Sequence, residues 1–158
     1  VLVTMENGKT FTIETAPQYA PETVKNFLTL VDSGFYDGLT FHRIIDGFMA
    51  QGGDPNGNGT GGSEKTIKGE FSANGFRQNT LTHDRGVVSM ARSGAPDSAS
   101  SQFFICYESA PHLDGNYAAF GRVISGMDTV DDFLKIPRDN NDKPHTPIVI
   151  ASMEIVKE

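Results

Sequence analysis

Two short stretches hold the residues best suited to chemistry, "FHRIIDGFMAQGGD" and "SQFFICY". Both read as strands, so alternate residues fall on one face. Arg43 is expected on the face of Phe41, while Met49 and Gln51 share a face of the next strand. Gln102 and Phe104 share another, with Phe103 and Ile105 turned the other way. One guanidinium, two amides and several large apolar groups could thus converge. Such a set can hold and polarise a ligand, yet it contains no nucleophile. On pattern alone, Phe48, Met49 and Phe104 also fit an ordinary core and Arg43 an ordinary surface residue, because apolar stripes are usually interior.

Between these stretches lies "GGDPNGNGTGGSEK". Asp54, Asn56 and Asn58 alternate, with Gly59 sixth, as in a calcium loop. The twelfth position needs a bidentate Glu and holds Lys65, with Glu64 one residue out of register. Gly57, Gly59 and Gly62 match a bare G-x-G-x-x-G. That fingerprint binds phosphate only between a strand and a helix N-terminus, and "SEKTIKGEF" is no such helix. Asn58-Gly59-Thr60 is a glycosylation sequon, of weight only in a secreted chain. Ser89, His83 and Asp84 suggest a hydrolase, but no G-x-S-x-G elbow is present and "THDRG" reads as a turn before a strand. His42, His83, His112 and His145 are dispersed without metal-ligand spacing. No metal and no cofactor are expected.

The elements that must position these residues are short. "VLVTMENGKTFTIET" is a hairpin about Asn7-Gly8. "APETVKNFLTLVDSG" is a helix: Pro21 opens it, Val24, Phe27, Leu28 and Val31 form one stripe, and Gly34 ends it. Strands follow around Asp46-Gly47, then a long Gly-, Asn- and Ser-rich region to about Arg85. "GVVSMARS", "SQFFICYE" and "AAFGRVI" are strands, "MDTVDDFLK" a short helix and "PIVIASMEIVK" a last strand. Many short strands with two helices predict a mainly β barrel or sandwich, its ends plugged by the helices.

The chain has 158 residues, which fits one domain spanning 1–158. Its net charge of −7 argues against nucleic-acid binding, which needs a basic face. No apolar run approaches the roughly 18–20 residues of a membrane helix. The single cysteine, Cys106, excludes an intramolecular disulfide and fits a reducing compartment. Its apolar surroundings predict a buried, inert thiol. The chain opens on strand-like sequence, without a signal-peptide pattern.

"FHRIIDGFMAQGGDP", joined with "GVVSMARSG", "SQFFI" and "LDGNYAAFGRV", resembles the cyclophilins, which are peptidyl-prolyl cis–trans isomerases. The resemblance runs from about Val1 to Val156 and is nearest to bacterial cytosolic members. It implies a closed eight-stranded antiparallel β-barrel with a helix over each end. It also implies a groove outside the barrel for proline-containing peptides of unfolded or folded clients. By matching position, Arg43 is the catalytic arginine, acting with Phe48, Gln51 and Phe104. Met49 and Leu113 complete a proline pocket with Phe48 and Phe104, and Gln102 borders the groove beside Gln51. Ala91 and Arg92 line the stretch that holds the substrate backbone, and Gly59, Thr60, Gly61 and Ser93 surround a side pocket.

Three positions depart from the familiar eukaryotic pattern. His112 replaces a tryptophan before "LDG", which implies weakened cyclosporin binding with isomerase activity kept. Tyr117 replaces a histidine and still supplies an aromatic wall. Arg92 replaces an asparagine, adding a long charged side chain that could bias substrate choice. The resemblance further implies a cytoplasmic monomer acting on protein folding. The alternative is a module that captures proline segments without turnover.

Overall fold

In the computed structural model, residues 1–156 are described. Eight antiparallel strands form one sheet: β1 Leu2–Met5, β2 Thr10–Thr15, β3 Phe41–Ile45, β4 Met49–Gly52, β5 Val87–Met90, β6 Phe103–Cys106, β7 Ala119–Ser125 and β8 Ile150–Glu154. Their order is β3-β4-β6-β5-β7-β2-β1-β8. The edge strands meet through a Thr40–Val149 bridge, with Phe41 N donating to Ile148 O. The sheet is thereby a nearly closed barrel, and its two edges are largely spent on each other. The last strand is shorter than the sequence pattern suggests, and its expected end at Lys157 lies outside the described residues.

The first hairpin turns where expected, with Gly8 at φ 87° and Lys9 N held by Asn7 Oδ1 at 2.9 Å. Helix α1, Pro21–Asp32, carries its proline in the first turn and is followed by Gly34 at φ 77°. It buries Val24, Phe27 and Val31 against one end of the barrel. Phe27 touches Phe103 and Phe120 edge-on or tilted, at centroid distances of 5.7 and 4.9 Å. Burying one such ring is worth about 1.5–3 kcal/mol. Helix α2, Met127–Asp131, runs into a 3₁₀ turn at Asp132–Lys135 and plugs the other end. Its Phe133 lies 4.8 Å from Phe41, which in turn lies 5.7 Å from Phe103. An unbroken run of aromatic rings therefore connects the two helices through the barrel interior.

Simple alternation fails at one functional position. Phe41 pairs with Gly52 and Arg43 with the next residue, Gln51, so the register slips and His42 is extra. Phe41 and Ile44 face the core, and Arg43 does not share the face of Phe41. The bulge turns Arg43 outward, opposite Gln51. No described helix is long and apolar enough to cross a membrane.

Candidate active site

Outside the barrel, a second apolar cluster forms apart from the core. Met49, Phe104, Cys106, Ala110 and Leu113 are its buried members, with Ile45, Phe48, Ala91 and Tyr117 packed on them. Strand alternation explains the division: Phe103 and Ile105 point inward, Phe104 and Cys106 outward. The β3 bulge brings Arg43 to the rim of this cluster. Arg43, Phe48, Met49, Gln51, Ala91, Arg92, Phe104, Leu113 and Tyr117 line one hollow.

The neighbouring hollow is polar. Gly59, Thr60, Gly61, Ser93 and Gln102 line it, with Gln51, Ala91 and Arg92 shared between the two. Ser98 and Ser100 also line it. Sequence reading passed over these two serines, although the run "SASSQ" next to Gln102 was the available signal. Gln51 Nε2 donates to Gln102 Oε1 at 2.8 Å, and Gln102 Nε2 donates to Gly61 O at 2.8 Å. This chain of amides links β4, the residue just before β6 and the glycine loop across the groove. His112 is in neither lining and instead packs against Phe48, with ring centroids 5.6 Å apart.

The glycine loop is closed from inside. The Asp54 carboxylate is almost fully buried and accepts the backbone N–H groups of Asn56 at 2.8 Å, Asn58 at 3.1 Å and Gly59 at 2.6 Å. Burial alone would raise its pKa, but these donors together with that of Gly61 outweigh it and hold the carboxyl below 3.8. The carboxylate fills the backbone nest that an external phosphate would need. A Cβ at Gly61 would collide with Asp54 Oδ1, and Gly59 has φ 92°, so both positions require glycine.

Beneath Phe104, His83 and Ser89 meet as their grouping in the sequence suggested, but with a different aspartate. The His83 ring stacks on Phe104 with centroids 6.0 Å apart. Its Nδ1 is 2.9 Å from Asp114 Oδ1, and its Nε2 is 2.9 Å from Ser89 Oγ. The aspartate is thus Asp114, not Asp84, whose carboxylate accepts from Thr82 Oγ1 in the turn before β5. Ser89 and His83 are both buried, so no substrate reaches the serine. The resemblance to a hydrolytic triad is structural only, and the trio braces the floor of the apolar hollow. Among the described residues, no group of three or more His, Cys, Asp or Glu side chains could hold a metal ion.

The family model for cyclophilin type peptidyl-prolyl cis–trans isomerases matches residues 1–155. Peptidyl-prolyl cis-trans isomerase B of Bacillus subtilis is 49% identical over 124 residues, covering 78% of this chain and 82% of that one. Peptidyl-prolyl cis-trans isomerase-like 1 of Neurospora crassa is 44% identical over 149 residues, covering 94% and 90%. Among solved structures, a Cryptosporidium parvum cyclophilin type isomerase in the presence of the dipeptide Ala-Pro superposes with a TM-score of 0.89. It is 35% identical and covers 99% of this chain and 98% of its own. With that sequence similarity along its length and the same barrel, the chain belongs to the cyclophilin-type peptidyl-prolyl cis–trans isomerases.

Proposed function

We propose that the isomerase reaction takes place in the hollow between Arg43 and Phe104, where a proline ring of a client chain is seated and the X–Pro bond turns. The observation carrying this reading is a cation set beside an apolar floor. Arg43 is exposed on its bulge, next to Phe48, Met49, Phe104 and Leu113. No described carboxylate lies within ion-pair distance of it.

Rotation about a peptide bond costs about 18–20 kcal/mol because it breaks amide resonance. Uncatalysed X–Pro exchange takes about 10–100 s. No covalent bond breaks, so no nucleophile or general base is required. In the twisted amide the prolyl nitrogen regains a lone pair. An N–H of Arg43 directed at that nitrogen binds the twisted amide better than either planar form. Arg suits the task because it is planar, always charged and rich in donors. The apolar floor holds the ring and excludes the water that favours the planar amide. Gln51, Gln102 and the backbone at Ala91 and Arg92 grip the flanking chain.

The magnitudes are consistent. Raising ~10⁻² s⁻¹ to ~10³ s⁻¹ requires about 7 kcal/mol. One preorganised donor supplies about 2.7–4 kcal/mol. Arg43 would contribute about half, leaving the remainder to floor and clamp. Proline segments of folding proteins are the substrates under this reading. It is supported by the Ala-Pro dipeptide named with the Cryptosporidium parvum structure. A cytoplasmic setting accords with a lone, buried thiol.

The test is exchange NMR or a protease-coupled assay on an Ala-Pro peptide. Arg43→Ala should lose about 10²–10³ in kcat while still binding the peptide. Undiminished turnover in that variant overturns the mechanism. Binding without any turnover by the intact protein supports a capture module instead.

A further inference from the structure

Arg92 stands on the ridge between the two hollows and is the only charged residue common to both linings. Its guanidinium is sandwiched between rings, with Cζ 4.6 Å from the Tyr117 centroid and 4.9 Å from that of Phe71. Nε and Nη2 donate to Asn116 O at 3.1 and 2.6 Å. Nη1 donates to Ser93 O at 3.0 Å and Gly94 O at 3.4 Å. The cation is therefore fixed before any ligand arrives, and its ordering cost is already met by the fold. Carbonyls and ring faces orient a positive charge without cancelling it. No described carboxylate pairs with Arg92.

The surroundings preserve that charge. Neither lining contains Asp or Glu, although the chain carries 20 acidic residues and a net charge of −7. Asp54 lies behind the Gly59–Gly61 rim and gives its charge to backbone N–H groups. Asp97, beside Ser98, accepts from Gly69 N and Asn74 Nδ2. The groove is thus lined by two cations, Arg43 and Arg92, among hydroxyls and amides. Adjacent hollows share the Gln51, Ala91 and Arg92 wall, and extended chain advances about 3.3–3.6 Å per residue. A side chain close in sequence to a seated proline reaches the polar hollow.

We infer that Arg92 is a specificity-determining residue that favours proline segments bearing a carboxylate side chain within one or two residues of the proline. This rests on the reading of the apolar hollow as the proline site. The experiment uses peptides that differ only in Glu, Gln or Lys at each position flanking one proline. Both kcat/KM by exchange NMR and Kd by titration are measured. At low salt, the best-placed Glu peptide should exceed its Lys counterpart by about 2- to 5-fold, the scale of a solvent-screened ion pair. The ratio should shrink as salt is raised. It should fall toward one in Arg92→Gln and persist in Arg92→Lys. A ratio of one at every position, or an unchanged ratio in Arg92→Gln, overturns the inference. If Arg92→Gln does not fold, a salt-independent ratio in the unmodified protein overturns it equally. Loss of all turnover with a persisting Glu-over-Lys ratio in Kd would reject the isomerase site while leaving this selectivity intact.

Discussion

His83 Nε2 and Ser89 Oγ lie 2.9 Å apart directly under the Phe104 ring. An ionised Asp114 can only accept, so Nδ1 carries the proton and Nε2 accepts from the Ser89 hydroxyl. Phe104 meets Tyr117 edge-on at 5.9 Å, so the buried His83–Ser89 pair, tied to half-buried Asp114, supports two walls of the apolar hollow. His83→Phe keeps a ring beneath Phe104 but leaves Asp114 and Ser89 without that partner. It should cost about 1–3 kcal/mol in chemical denaturation. The unmodified protein should show no labelling of Ser89 by a fluorophosphonate.

The same histidine predicts a pH response. Burial is the largest influence and lowers the His83 pKa beneath 6.5, against the opposing pull of Asp114. Burial likewise lowers that of His42. For such groups the unfolded chain binds more protons below 6.5, so stability is complete above that value. It should decline as pH falls from 6.5 toward the folded-state values. Denaturation midpoints across this range test it, and a flat profile would contradict the buried neutral rings.

Asp54 predicts a second transition at lower pH. Its folded pKa is depressed, so its contribution is present above about 3.8 and is lost as pH falls through the folded value. Asp54→Ala leaves several loop N–H groups without their acceptor and should cost about 1–3 kcal/mol. Gly61→Ala sets a methyl against Asp54 and should distort the polar hollow while sparing the apolar one. The expected reading is altered preference among X–Pro peptides with smaller change in turnover on the best of them. Uniform loss across peptides would place the loop in the chemistry instead.

His112 sits beside Phe48 at the rim, outside both linings. His112→Trp should therefore strengthen cyclosporin inhibition, with Ala-Pro turnover close to the parent value. Titration of the drug against both proteins measures this.

Cys106 is wholly buried and its thiol is pushed up to about 12, chiefly by burial. Ellman's reagent should react with it only after denaturant is added. Rapid labelling of the native protein would show that the outer cluster opens.

How much was legible in the sequence depended on the range of the signal. Asn7-Gly8, Pro21 and Gly34 act within a few residues of themselves, and each turn or helix end appeared where its chemistry required. Period-two alternation set Phe103 and Ile105 on the face opposite Phe104, which holds because β6 is regular, and the barrel turned the first pair inward. The motif blocks pointed to the family and to most of the residues that line the two hollows, Ser98 and Ser100 excepted, while His112 lies in neither lining.

Tertiary structure decided what depends on contacts between distant segments. The His42 bulge reverses alternation at Arg43, since a register slip is set by closure of β3 against β4 and is invisible to a period of two. His83 meets an aspartate 31 residues away, whereas sequence proximity suggested Asp84. Asp54 turns inward because four backbone N–H groups offset its burial, and Arg92 folds back between Phe71 and Tyr117 rather than reaching outward. Local pattern thus predicted a mainly β barrel or sandwich with helices at its ends, and the resemblance carried by the motif blocks implied the family and most of the residues lining the groove. The direction of each charged side chain was settled only by which unpaired donors, acceptors and ring faces the closed barrel brought within reach.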